Sequence, residues 1–535
     1  MTEEQKIEPT KKGISRRQFI AGTVGGLVVG AVGGAAAGAF GFPTKVTQTE
    51  TQTSTLQPWL PASWDYTADV VVVGFGGAGG AAAYEATAAG AKTIILERMK
   101  AGGGSTNISG GAVYMGGGTP MQIAAGFTND TRDNMYNYVL AAGRLGADPD
   151  LVGVFADKSL DLYDWLTNTI GVKWGTDFQD LWPAPTVKSQ GLNYSGAEPE
   201  AEFAAVATPV PRGHWTAVGS GSGVFQPLMT AVVNQGTQIL YQALAKSLIQ
   251  DGQTGRIIGV VASYNGSDIN VKANKAVILT AGGFAFNKAM LAQYCPPFAN
   301  VSPLGTAGDD GSGIKMGQAV GADVRNMQDA FSIAFTQYGD DAHFEGVIVD
   351  QNGNRFMAED YGEGIWPGIV EVAMQPLIRT CYLIIDSAIY ALITPAPAAS
   401  GIVAQANTLS DLATALKTAP GVLENTISFY NTNAANHSDP VFNKLSKYVV
   451  PIASPPFYAL SQPLADVFTM GGLRINTSAQ VLDTTGTPIP GLYAAGRNSS
   501  SVLAQGYQGS GNSVGSALTF GRIAGQNAAA EAPST

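Results

Sequence analysis

An α/β architecture is predicted for this chain of 535 residues by three observations. A run of four valines, Val70 to Val73, reads as a buried strand and feeds a glycine turn. An alanine-rich helix and a second apolar strand follow, closing on Glu97. A second glycine-rich stretch lies at the far end of the chain, from Gly491 to Gly525.

The first stretch carries glycines at 74, 76 and 79, the spacing of a dinucleotide-binding turn. A pyrophosphate must approach backbone N–H groups at a helix N-terminus, where unpaired donors and the helix dipole favour an anion. Gly74 serves the tight turn, Gly76 with Gly77 and Ala78 the approach of the phosphates, and Gly79 the packing of helix on strand. Glu97 stands where a carboxylate accepts from ribose hydroxyls, with Arg98 beside it, and its charge argues against a 2′-phosphate. A Rossmann-like nucleotide-binding domain is therefore expected. The motif alone leaves FAD and NAD open.

Length and composition set the frame. The chain is too long for one core, so two domains are expected. Charged residues make up 13% and the net charge is −11, which disfavours a nucleic-acid partner. Cys295 and Cys381 form no C-x-x-C pattern, so neither a metal site nor attached haem is expected, and a disulfide between them stays open.

Residues 1–42 read as a twin-arginine signal: Arg16-Arg17 is preceded by Ser15, followed by Phe19 and then by an apolar run rich in glycine and alanine. Ala37-Gly38-Ala39 suits cleavage, the other reading being an uncleaved membrane anchor. Export by the twin-arginine translocase to a periplasmic or other extracytoplasmic location follows from this reading, and that route carries folded, cofactor-loaded proteins. Residues 43–65, with Pro58 and Pro61, read as a linker.

Beyond Glu97 comes Gly102-Gly103-Gly104-Ser105-Thr106-Asn107-Ile108-Ser109-Gly110-Gly111. So many glycines and small hydroxyl residues suit a backbone lying against a flat ligand. Ala276 to Phe284 reads as another buried strand ending in a glycine turn, Ala281-Gly282-Gly283, and Asp309 lies in a second turn before a helix at 314–319. The His214-Trp215 pair reads as structural.

These stretches resemble the flavoprotein family that includes fumarate reductase and the 3-ketosteroid dehydrogenases. The run from Tyr114 to Gln122, with Asp130, Asn134 to Tyr136 and Asp161 to Leu166, is most similar to the Δ4-(5α)-dehydrogenase branch. The loop around Tyr507 has a spacing nearer the Δ1 branch. The resemblance spans about 66–535 and implies FAD, a FAD-binding domain in two parts (66–324 and 452–535) and an inserted α+β capping domain at 325–451. It also assigns Gly103, Gly104, Ser105, Thr106, Ser109, Gly110, Gly111, Ala281, Gly282, Gly283, Asp309, Gly496, Arg497, Ser513 and Val514 to the cofactor. A helix starting at Asn512 or Ser513 would point its N-terminus at the reduced flavin's negative charge.

For the reaction, the resemblance implies a tyrosine holding a ketone, Tyr507, with the Gly511 amide or the Ser510 hydroxyl completing an oxyanion site. Tyr361 would remove the neighbouring proton, assisted by Tyr114 or Tyr338, while hydride passes to flavin N5. Where the fumarate reductase branch has a histidine and an arginine, this chain has Phe468 and Gln508 or Gly509. A buried dianion would lack its partners. The implied activity is formation or reduction of a carbon–carbon double bond next to a ketone, in an apolar, steroid-like substrate. A reductase of a small enoate is the rival enzyme, and a flavin electron-transfer protein without its own substrate is the rival of another class. No haem motif is present, so an external quinone or redox protein is the expected electron partner.

Overall fold

Val70, Val71 and Val72 are fully buried at the centre of strand β1 (Tyr66–Val73), and the rest of the molecule is laid around them. The computed structural model describes residues 60–178, 191–334, 341–360, 380–394, 397, 401–462 and 464–534. The expected signal, the linker up to residue 59, Tyr338 and Tyr361 lie outside the described residues.

After β1 the chain turns into helix α1 (Gly77–Ala88) and returns as strand β2 (Thr93–Glu97). β1 and β2 pair in parallel, with Val70 opposite Thr93 and Val73 opposite Leu96. On the other flank β1 pairs in parallel with a strand of 13 residues, Ser267–Leu279. The latter also pairs with Pro488–Ala494 from the C-terminal part, so both ends of the chain share one eight-stranded sheet. Strands buried on both faces need covering helices.

One of these covers is the last helix, Asn512–Ala530, which crosses α1 along a seam of small residues. A Cβ on Gly525 would stand 2.2 Å from the Ala82 carbonyl oxygen, and one on Gly521 would stand 2.5 Å from that of Ala78. Glycine is what lets these backbones touch. The close crossing holds both helix N-termini at the C-terminal edge of the sheet, where α/β proteins bind nucleotides.

A second core gathers buried residues between Phe344 and Leu460. It is built on an antiparallel sheet in the order 347–350, 381–385, 457–461, 402–406, backed by helices Leu409–Leu416 and Val422–Ala434. Strand Phe457–Ser461 thus belongs to this second core although it lies beyond residue 451. Its buried charges are mutually paired: Arg355 meets Glu359 at 2.7 Å and Asp439 at 2.8 Å, and Lys444 meets Glu359 at 3.2 Å. Two strands run between the cores side by side and antiparallel, Ala330–Ala334 outward and Leu464–Thr469 back. Cys295 sits in the first core and Cys381 in the second, both as free thiols.

Candidate active site in the cofactor cleft

Glu97 ends β2 with both carboxylate oxygens turned onto backbone amides: Oε2 accepts from Phe75 N at 2.8 Å and Oε1 from Met99 N at 2.7 Å. Burial pushes its pKa up, while these two N–H groups and Arg98 pull it back. Each oxygen keeps a further lone pair for a ribose hydroxyl. Beside it α1 begins at Gly77 with no side-chain cap from Gly76. The Gly77 amide donates to Thr106 Oγ1 at 3.1 Å, tying the 103–111 segment to the helix start.

These groups open on a cleft of about 660 Å³. It is lined by Gly74, Gly76, Gly77, Ala78, Glu97 and Arg98, then by Gly103, Gly104, Ser105, Thr106, Ser109, Gly110 and Gly111. From later in the chain come Ala281, Gly282, Asp309, Gly496, Arg497, Ser513 and Val514. Gly79 and Gly283 stand behind this wall. A Cβ on Gly79 would come within 2.0 Å of the Gly74 carbonyl oxygen, so its part is packing. The Gly283 amide donates to Asp309 Oδ1 at 2.9 Å. The other oxygen of Asp309 receives Ser105 Oγ at 2.6 Å and Arg497 Nη2 at 2.7 Å, so one carboxylate ties three distant segments together.

At the far end the helix Asn512–Ala530 also starts without a side-chain cap, on Gly511 at φ +94°. Tyr507, Ser510 and Gly511 line the cleft there, together with Phe331 and Phe468. Phe331 and Phe468 face each other across the two linking strands, their ring centroids 4.8 Å apart. The Tyr507 ring lies 4.6 Å from Phe331 and 5.3 Å from Phe468. Neither phenylalanine was singled out as a wall of the site by sequence, because each becomes one only through a strand pairing across more than a hundred residues.

Tyr114 is corrected by the structure. Its side chain is fully buried outside the cleft, and its hydroxyl donates to Glu198 Oε1 at 3.0 Å. A buried phenol already engaged to a carboxylate cannot assist at a substrate carbonyl, and burial followed by the charge of Glu198 pushes its pKa well up. Around it lies a polar layer of which the sequence singled out only Asp130: Tyr138, Glu198, Arg212 and Asp130. Arg212 and Asp130 are completely buried and meet at 2.7 Å. Burial pushes the Asp130 pKa up, but the Arg212 charge and hydrogen bond outweigh it and hold the carboxyl below its usual range. His214 is structural, as read: Nε2 lies 2.8 Å from Thr119 Oγ1 and Nδ1–H donates to the Arg212 carbonyl at 2.9 Å. Burial pushes its pKa down to about 4, so it is neutral.

Gln508 points away from the cleft: Nε2 donates to the Val502 carbonyl at 2.8 Å and Oε1 accepts from Asn512. Of the cleft's cations, Arg98 pairs with Asp310 at 2.6 Å and Arg497 with Asp309. None of the three histidines lines the cleft.

Two uncapped helix N-termini on one cleft, a buried acid near the first and a tyrosine set in aromatic carbon near the second mark a flavin-dependent oxidoreductase. The glycine backbone at 74–79 and 103–111 leaves the space that a pyrophosphate and a flat ring need, so the residues present fit FAD. The chain belongs to the FAD binding domain family, whose model matches residues 69–514. It is 35% identical to the 3-ketosteroid Δ4-(5α)-dehydrogenase of Rhodococcus jostii RHA1, solved with 4-androstene-3,17-dione; the match covers 88% of this chain and 98% of that one, with a TM-score of 0.80. It is 29% identical to the urocanate reductase of Eggerthella lenta over 88% of this chain and 76% of that protein. It is 26% identical to the 3-oxosteroid 1-dehydrogenase of Mycolicibacterium smegmatis over 87% of this chain and 97% of that protein.

Proposed function

We propose that this protein forms, or in the opposite direction reduces, a carbon–carbon double bond next to a ketone in a largely apolar substrate, with 3-ketosteroids the leading class. The observation that carries the reading is Tyr507, packed against Phe331 and Phe468 and lining the cofactor cleft with Ser510 and Gly511. Aromatic carbon suits an apolar ring system, and the phenol offers a donor to a ketone oxygen. The likeness to the R. jostii enzyme supports the same choice.

FAD, when bound, supplies the two-electron acceptor or donor. The chain's own part is to stabilise charge growing on the ketone oxygen, which is what makes the neighbouring proton removable. Tyr507, with the Gly511 amide or the Ser510 hydroxyl, takes that duty. Tyr361 takes the proton; because a tyrosine has an ordinary pKa near 10, it needs a relay or a lowered pKa to act at neutral pH. The second core serves as a cap that keeps water from the reacting atoms. Export by the twin-arginine route, signalled by Arg16-Arg17, and an external quinone or redox protein as electron partner complete the reading.

A second reading, reduction of a small enoate, is favoured by the likeness to the urocanate reductase. It is disfavoured by Phe468 and by the inward-turned Gln508, which leave a carboxylate no partner at those positions. Anaerobic mixing of the oxidised holoprotein with 3-keto-4-ene and 3-keto-5α steroids separates the two. Bleaching of the flavin absorbance by a steroid is the expected result. Absence of bleaching, together with reoxidation of the reduced enzyme by urocanate or fumarate, would overturn the steroid reading.

A further inference from the structure

The loop Tyr507–Gly511 rests on a bed of buried polar groups that the chemistry above does not use. Tyr138 Oη donates to the Gln508 carbonyl at 2.8 Å and accepts from Ala197 N at 2.8 Å. Ser510 N donates to the Ser195 carbonyl at 2.7 Å, and Tyr114 N donates to the Gly511 carbonyl at 3.1 Å. Below them Glu198 accepts from Tyr114 Oη at 3.0 Å and from Gly196 N at 2.9 Å. The contact is close enough to exclude a side chain: a Cβ on Gly196 would lie 2.1 Å from the Gln508 carbonyl oxygen and 2.3 Å from Tyr138 Oη. The rings of Tyr114 and Tyr138 stack at 6.3 Å, and the Arg212 guanidinium lies 5.3 Å over Tyr138.

We propose that Glu198 is a positioning residue for the loop that carries Tyr507, Ser510 and Gly511, acting through Tyr114 and the Gly196 amide, with Tyr138 fixing the adjoining Gln508 carbonyl. Glu198 is 1% exposed and touches nothing in the cleft, so its effect reaches the site only through these contacts. As a carboxylate it accepts both hydrogen bonds; once protonated, one oxygen becomes a donor and the arrangement must change. Burial pushes its pKa up to about 7, against the pull of Arg212, Tyr114 and the Gly196 amide, and Asp130 balances the Arg212 charge. The bed therefore loosens as pH falls through neutrality. What the loop does for a ketone rests on the function proposed above; the bed beneath it does not.

The test is hydrogen exchange of the FAD holoprotein at pH 6 and pH 8, corrected for intrinsic exchange rates, read in a peptide spanning 505–513. Losing one buried hydrogen bond raises exchange about 5–10-fold where opening is local. Wild type is expected to exchange faster at pH 6 than at pH 8. Glu198→Gln should show the faster rate at both values, with residues 70–79 unchanged. Should that variant not fold, Tyr138→Phe removes a single hydroxyl and is expected to raise exchange in the same peptide at both pH values. Wild-type protection at 505–513 in Tyr138→Phe, and in Glu198→Gln wherever it folds, would overturn the proposal. A second arm follows flavin bleaching by 4-androstene-3,17-dione against pH, where the limb near pH 7 should vanish in Glu198→Gln; its persistence in a folded variant counts against the proposal. If the steroid bleaches no form of the enzyme, the ketone reading fails while the exchange arm still decides on the bed.

Discussion

Tyr507 and Phe468 meet edge to face, 5.3 Å between ring centroids, at the end of the cleft where the last helix begins. Its phenol brings one polar atom into a wall of aromatic carbon. Tyr507→Phe preserves the packing and removes that atom. Flavin bleaching by a 3-ketosteroid should slow by about 10²–10³-fold, the usual cost of one oxyanion donor, with FAD content unchanged. Stopped-flow absorbance at saturating steroid checks it.

Glu97 anchors two backbone amides as well as lining the cleft. Glu97→Ala leaves both amides without their acceptor and removes the carboxylate proposed to meet the ribose, so FAD should bind roughly 10²-fold more weakly. The ratio of flavin to protein absorbance after dialysis, followed by FAD titration, measures this. A steroid assay at saturating FAD should recover most of the rate, because Glu97 touches none of the reacting atoms.

Asp130 serves Arg212, Gly117 N, Gln122 Nε2 and Asn134 Nδ2 at once. Asp130→Asn strands the buried Arg212 charge and should destabilise the protein by about 3–5 kcal/mol in urea unfolding. Because the folded pKa is lowered, the contribution is present above the ordinary carboxylate range and is lost as pH falls through the folded value. The gap between variant and wild type should therefore narrow in acid.

Glu200 behaves in the opposite sense. One of its oxygens is buried without a hydrogen-bond partner among the described residues, and burial, then Asp360 and Glu202, push its pKa up to about 8. A raised acid stabilises below its unfolded pKa, and that stability drains away as pH rises towards the folded value. Glu200→Gln should match wild type near pH 5 and gain in relative melting temperature as pH rises to 8, with no further gain above. Thermal scans at four pH values suffice.

The nucleotide half was legible because its signals are local. Val70 to Glu97 carries strand, turn, helix and acid within one short stretch, and the helix start at Asn512 follows its glycine directly. The polar bed was not legible. Tyr138 meets the Gln508 carbonyl across 370 positions and Tyr114 meets Glu198 across 84, distances over which no motif speaks. Tyr114 was misread for a related reason. It sits on a strand of three residues, too short for alternation to show which face its side chain takes. Strand Phe457–Ser461 reads with the FAD-binding part, because only its partners at 381–385 and 402–406 show that it belongs to the second core. Phe468 was noticed only as a missing histidine, and its contact with Phe331 gives it a positive role.

The two strands that join the cores leave and re-enter the flavin-binding half as neighbours, with Phe331 opposite Phe468. Among the described residues these two strands carry the chain out to the second core and back, while the eight-stranded sheet is completed by residues outside that interval. The second core is in this sense a cassette: evolution or an engineer can cut it out at one double-stranded stem, with the charge of Asp360 beside Glu200 the contact to be kept. The stem itself supplies aromatic wall to the cleft, so a graft that keeps Phe331 and Phe468 keeps that apolar wall beside Tyr507.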